Sequence, residues 1–181
     1  GQDREAYELI AGERGAVVAA NRIEGLYHGL QTLRQLIVFR DGKPTLARCR
    51  IKDYPAFRIR GVMHDVGRNF QSLEQLKMQI DVMAAYKFNI FHWHLSDDEG
   101  WRLESKTHPG LQSGKVFQRG HGKFYTQEQF REMLDYCWAR GITIIPEFDS
   151  PGHSDAFRKG LDIPNMKDPR AIKAMTGLIA E

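Results

Sequence analysis

Apolar positions in the first fifty residues switch between two periods. AVVAA at 16–20 reads as an extended stretch, and from Asn21 onward Ile23, Leu26, Leu30, Leu33 and Ile37 recur at helical spacing. Asn21 is placed to cap that helix, with Glu24 three residues on as the reciprocal partner. Asp41-Gly42 then marks a turn into a second extended run, LARCRI at 46–51. A small α/β unit is expected here. A boundary falls near Asp53-Tyr54-Pro55, because proline disfavours both helix and central strand.

From Arg58 the pattern becomes strand, loop, helix, repeated. RGVMHD (60–65), FNIFHWHL (88–95) and ITIIPEF (142–148) are apolar runs with few breakers, as expected of parallel strands buried on both faces. A helix between the first two is capped by Ser72 with Gln75 and faces inward through Leu76, Ile80, Met83 and Ala84. The next is capped by Thr126 with Gln129, shows Phe130, Met133, Leu134 and Cys137, and ends at Gly141. A last helix starts at Asp168-Pro169 and presents Ile172, Met175 and Ile179. The order predicts an α/β fold with a parallel sheet, which either a (β/α)₈ barrel or a doubly wound sheet satisfies. Each strand runs straight into ionisable residues: Asp65 and Arg68, then Asp97 and Asp98, then Asp149 and His153. Barrels collect their chemistry at the C-terminal ends of successive strands, whereas a doubly wound sheet concentrates it at one switch point. That placement favours the barrel.

Composition narrows the partners. With 41% hydrophobic residues, 27% charged and a formal net charge of +3, the chain has material for a core and no dense basic run to neutralise a phosphate backbone, so nucleic acid is not expected. No window approaches the roughly 20 apolar residues of a membrane span. The opening GQDREAYELI lacks the basic and apolar regions of a signal peptide, so a soluble, already processed chain is expected. Cys49 and Cys137 have no CxxC spacing and read as ordinary thiols.

The segment FHWHLSDDEGWR (91–102) carries the most chemistry. On a strand, His92 and His94 project to one face and Trp93 to the other. Two readings stand: a metal site of His92 and His94 with Asp97 or Asp98 as a third ligand, or hydrogen-bonded histidines inside a barrel. Asp97 and Asp98 could simply cap a turn, but Trp101 close by suits a sugar, offering a face to stack on beside groups that bind hydroxyls. Arg68 is either a surface ion pair or a planar fork for neighbouring hydroxyls. In PEFDSPGH (146–153), Pro151 and Gly152 make a turn that aims His153.

Three segments in order, RGVMHDVGRNF, FNIFHWHLSDDEGWRLE and IIPEFDSPGHSDAF, resemble the first three strand-end motifs of glycoside hydrolase family 20 β-N-acetylhexosaminidases, and IEGLYHGLQTLRQLI resembles the last helix of the small α/β domain before their barrel. The resemblance divides the chain into residues 1–53, the end of that small domain, and 54–181, the first three to four units of an incomplete (β/α)₈ TIM barrel. It implies hydrolysis of terminal β-linked N-acetylglucosamine or N-acetylgalactosamine with retention, the substrate's acetamido oxygen acting as nucleophile, and no metal or other cofactor. Arg68 would grip sugar hydroxyls, Asp97 would sit on the pocket floor and His153 would line it. Asp65, His94, Asp98, Trp101, Glu147 and Asp149 would support them. His64 and Gly67 depart mildly from the residues usual around that Arg.

The family's catalytic Asp-Glu pair, on the fourth strand, has no match here and is expected beyond Glu181; Asp98-Glu99 sits in the strand-two motif instead. A whole barrel needs roughly 250 residues, more than the 181 present. The chain alone is therefore expected to be nearly inactive and to self-associate through its incomplete barrel. Its partner would be an N-acetylhexosamine-containing oligosaccharide or glycoconjugate, and the family suggests an exported, periplasmic or lysosomal setting. A metal-dependent barrel hydrolase and a non-catalytic carbohydrate-binding half-barrel are the alternatives.

Overall fold

The computed structural model describes residues 2–181. The chain forms two units, one of residues 1–60, 81–89 and 140–142 and the other of residues 61–80, 90–139 and 143–181. In the first, a short α1 (Gln2–Glu5) leads into β1 (Tyr7–Gly12), which pairs antiparallel with β2 (Gly15–Ala20) on one side and with β5 (Cys49–Asp53) on the other. Tyr7, Leu9 and Ala11 form the core of this unit. β3 (Ile37–Arg40) and β4 (Lys43–Leu46) make a separate hairpin, turned by Asp41 (φ 52°) and Gly42 (φ 74°). Both residues are left-handed, as a tight two-residue hairpin turn requires. The expected LARCRI strand is thus divided between β4 and β5.

The helix of this unit, α2 (Ile23–Leu36), corrects the expected face and cap. It begins at Ile23 with Arg22 as N-cap, and Asn21 does not cap it. Ile23, Leu30 and Ile37 are exposed, while Gly25, His28 and Gly29 are buried. A Cβ on Gly29 would stand 2.3 Å from Val18 Cγ1 and 2.9 Å from the Tyr7 ring. The helix backbone therefore lies directly on the sheet at its glycines, and that approach turns much of the apolar stripe outward.

The second unit holds β6 (Gly61–Asp65), α3 (Leu73–Ala85) as far as Ile80, and β7 (Ile90–Asp97). A short β8 (Gly100–Trp101) folds back on the end of β7, and α4 (Gln127–Trp138) leads to β9 (Thr143–Phe148). Both expected capping boxes form: Ser72 with Gln75 and Thr126 with Gln129. Leu76, Ile80, Met83 and Ala84 of α3 are buried, as are Met133 and Cys137 of α4, whereas Leu134 is exposed.

β7 lies between β6 and β9, parallel to both, and the register sets Asp65, His94 and Glu147 side by side, with Met63, His92 and Ile145 one row below. Phe91 and Trp93 point to the opposite face and are fully buried; Trp93 stacks on Phe130 of α4 with ring centroids 5.4 Å apart. Full burial of all three strands does not hold. Met63 and Ile145 are 55% and 47% exposed, because the sheet face they share with His92 is open.

Two helices complete the unit. α5 (Asp155–Leu161) was not legible in the chain, and α6 (Pro169–Ala180) is capped by Asp168 as expected. On α6 the inward residues are Ala171 and Ala174, packed with Trp101, Phe117 and Phe157, while Ile172 and Ile179 are exposed. No helix among the described residues is long and apolar enough to cross a membrane.

Candidate active site

The strand ends of β6, β7 and β9 deliver their polar residues to one place. Asp65 ends β6, and its carboxylate accepts the Arg68 amide at 3.0 Å and pairs with the Arg68 side chain. A second nitrogen of the same guanidinium stands 2.8 Å from Asp97 Oδ2, and Nε is 4.0 Å from Glu99. Arg68 is 38% exposed, so the fork is held from behind by acids while part of it faces outward. Those carboxylates, Asp65 foremost, raise its pKa and keep it charged.

Asp97 is buried beneath the fork. One of its oxygens accepts the Asp98 amide at 2.6 Å, and the other lies 3.1 Å from His94 Nε2. Burial by itself would raise this carboxyl, but the Asp98 amide, His94 and Arg68 hold it below the usual range. His94 Nδ1 in turn meets Glu147 Oε2 at 2.8 Å. Burial disfavours a charged His94, yet carboxylates at both ring nitrogens outweigh it and raise its pKa, Glu147 first and then Asp97. Glu147 also takes His92 Nε2 at 2.7 Å, and against the cost of burial its pKa is lowered, by His94 and then by His92. The row therefore reads His92, Glu147, His94, Asp97, Arg68, each in contact with the next.

His153 reaches this row from the turn after β9. It is 52% exposed with φ 47°, and its Nδ1 lies 3.3 Å from both Asp97 Oδ1 and an Arg68 nitrogen. A protonated Nδ1 donates to Asp97, and a bare one accepts from Arg68. A side chain held at positive φ beside two partners is fixed in direction by its backbone. Asp149 lies within the same cluster, close to His94 and Glu147, and its amide is held by Ser96 Oγ at 3.0 Å.

Of the expected site residues, Arg68, Asp97, His153, Asp65, His94, Glu147 and Asp149 are brought together. Asp98 stays beside Asp97 and His153, and it also accepts the Asp155 amide at 3.0 Å, at the start of α5 fifty-seven residues on. Trp101 departs from the expectation of an open stacking face: only 1% exposed, it stacks on Phe148 at 4.7 Å and donates its indole N–H to the Leu103 carbonyl. The metal set of His92, His94 and Asp97 is not assembled either. Among the described residues, the groupings that could reach one ion are Asp65 with His94 and Asp97, His94 with Glu147 and Asp149, and Asp97 with Asp98 and His153, and His92 belongs to none of them. Asp97 in these groups is already engaged by Arg68 and His94.

Arg102 carried no expectation, although it closes the most informative segment. It is fully buried and donates to the carbonyls of Val66 and Gly67, the two residues before Arg68. Only the neighbouring Gly100 hints at it, since a Cβ there would lie 2.5 Å from Arg102 Cζ.

Comparison with known proteins bears on this constellation. Residues 57–175 match the family model described as glycosyl hydrolase family 20, catalytic domain, and residues 1–54 match family 20, domain 2. The chain belongs to glycosyl hydrolase family 20. Among curated family members, a β-hexosaminidase of Vibrio furnissii is 41% identical over 88% of the chain, and β-hexosaminidase subunit beta of Mus musculus is 39% identical over 86%. Among solved structures, the chitobiase of Flavobacterium johnsoniae superposes with a TM-score of 0.89 at 34% identity over 98% of the chain. An exo β-N-acetylglucosaminidase of Vibrio harveyi, solved with N-acetylglucosamine, gives 0.82 at 40% identity over 89%. This family 20 chain spans 28% and 29% of the two curated relatives, and 29% and 28% of those two structures.

Proposed function

We propose that this chain supplies part of the sugar pocket of an exo-acting β-N-acetylhexosaminidase that removes terminal β-linked N-acetylglucosamine or N-acetylgalactosamine. The observation that carries the proposal is the convergence of Arg68, Asp97 and His153 from three successive parallel strands onto one charged cluster. In this reading residues 1–53 end the small α/β domain, and residues 54–181 begin a (β/α)₈ barrel whose interior is the open face bearing Met63, His92 and Ile145. Arg68 donates its outward N–H groups to sugar hydroxyls while Asp65 and Asp97 keep its plane fixed. Asp97 and His153 form the polar floor and wall, and His94 with Glu147 orients Asp97 from below. Hydrolysis proceeds with retention: the substrate's acetamido oxygen attacks the anomeric carbon, and an acidic residue of an adjacent Asp-Glu pair, assigned to a fourth strand beyond Glu181, protonates the leaving oxygen. Removing a general acid costs about 10²–10⁴ in rate, so the chain by itself should be nearly inactive. The apolar residues exposed on the open face should promote self-association.

The test is chromophore release from an aryl N-acetyl-β-glucosaminide by this chain, by the protein at its natural full length, and by that protein carrying Arg68→Ala. Activity in the full-length protein alone, weakened by Arg68→Ala, is the expected result. Cleavage by the 181-residue chain would place the acid within it and refute the assignment of the pair; full activity of Arg68→Ala would remove the sugar-gripping role.

A further inference from the structure

We propose that Arg102 is a positioning residue for sugar binding, its buried guanidinium fixing the Val66–Gly67 peptide groups so that the Arg68 fork is aimed at the sugar. The proposal rests on the reading that Arg68 grips hydroxyls, and it adds a residue that touches no ligand. Arg102 is 0% exposed and forms no ion pair with any acid among the described residues. Its hydrogen bonds all go to backbone carbonyls. Nε donates to Val66 at 3.0 Å and to Gly67 at 3.2 Å, and one terminal nitrogen donates to Gly67 and to Arg119, each at 2.9 Å. The other terminal nitrogen reaches Gly120 at 3.2 Å and Lys123 at 3.0 Å. A buried arginine with no acid in direct contact is costly; carbonyl oxygens hold it here, with the Phe117 ring 5.3 Å from Cζ and the Glu99 and Asp65 carboxylates acting from farther off.

The Val66–Gly67 segment is held from two sides. Its amides both donate to the His94 carbonyl at 3.2 Å, and its carbonyls both take Arg102. Arg68 follows at once, its own amide on Asp65. Every backbone polar group from Val66 N–H to Arg68 N–H is thereby tied to β6, β7 or Arg102, and the root of the Arg68 side chain has no freedom to drift. Space is tight as well: a Cβ on Gly67 would lie 3.0 Å from Asp97 Cβ, so the peptide is pressed against the residue that Arg68 pairs with. A lysine at 102 would keep the charge but present a single point where the fork spans carbonyls on two loops.

The experiment uses the full-length protein and aryl N-acetyl-β-glucosaminide hydrolysis. Arg102→Lys is expected to raise KM about ten- to a hundredfold, the scale of a misplaced binding group, with kcat changed less than about threefold. The deciding arm is the double variant: on an Arg68→Ala background, Arg102→Lys should add less than about twofold, because the two act through one contact. Equal losses on both backgrounds, or a loss confined to kcat, would overturn the proposal while leaving the hexosaminidase reading intact; a wild-type protein that does not cleave overturns both. Should Arg102→Lys fail to fold by circular dichroism, Gly100→Ala takes its place. The added methyl would stand 2.5 Å from Cζ and so must displace the buried guanidinium, while leaving the arginine present. It must show the same rise in KM and the same silence on the Arg68→Ala background.

Discussion

Replacing Arg68 by lysine separates what the fork does for the fold from what it does for a ligand. In the wild type, one nitrogen pairs with Asp65 and a second lies 2.8 Å from Asp97, a spacing that a single ammonium cannot reproduce. One of the two pairs must be given up. Because the guanidinium is 38% exposed, water screens both pairs. The lost one is then worth about 0.2–1 kcal/mol, the range of solvent-exposed ion pairs. Asp97 is buried but keeps the Asp98 amide and His94, so it is not left bare. Stability should fall by less than about 1 kcal/mol. Binding should suffer more, since a charged donor to a sugar hydroxyl contributes about 1.5–3 kcal/mol, or roughly ten- to a hundredfold in affinity. Urea unfolding of the variant, set beside KM on the aryl glycoside in the full-length protein, reads the two quantities separately. A destabilisation above about 3 kcal/mol would make Arg68 a structural residue, and an unchanged KM would sink the gripping role.

Two further perturbations test the surroundings. The His94 pKa is raised in the folded state, so its stabilisation is complete below the unfolded value of about 6.5 and is lost as pH rises through the folded value. Glu147 and Asp97 are lowered, so theirs is present above about 4 and lost as pH falls through their folded values. The urea midpoint should therefore be highest between those limits, and Glu147→Gln should flatten the alkaline limb; an alkaline limb identical in wild type and variant would contradict the His94–Glu147 coupling. Trp101→Ala should cost about 3–5 kcal/mol, as for other large buried aromatics, because its ring packs on Phe148 and Phe157. A loss of sugar affinity with unchanged thermal stability would instead return Trp101 to the ligand.

Much of the architecture was legible in residue order. Apolar runs with few breakers placed β6, β7 and β9, a 3.6-residue period placed α3 and α4, and reciprocal Ser72–Gln75 and Thr126–Gln129 pairs marked the starts of both helices, because caps act over three residues and need no distant partner. The strand-end positions of Arg68, Asp97 and His153 were likewise readable, since each lies at or within a few residues of the end of an apolar run. What the chain could not declare was which surface α2 and α6 turn inward. On α2 that was decided by glycines pressed on Val18 and Tyr7, and on α6 by the small Ala171 and Ala174, both overriding the larger apolar residues.

The same limit governed the site. Trp101 and Arg102 adjoin in sequence and both are buried, one in a cluster of aromatic rings and the other against carbonyls up to thirty-six residues away. Asp98 reads as a supporting residue of the strand-two motif, and its bond to the amide of Asp155, fifty-seven residues on, was not readable there. Local pattern records what a side chain can do within one turn or one pleat. Which carbonyl, ring or amide it meets depends on loop closure over tens of residues, and only the folded chain settles that.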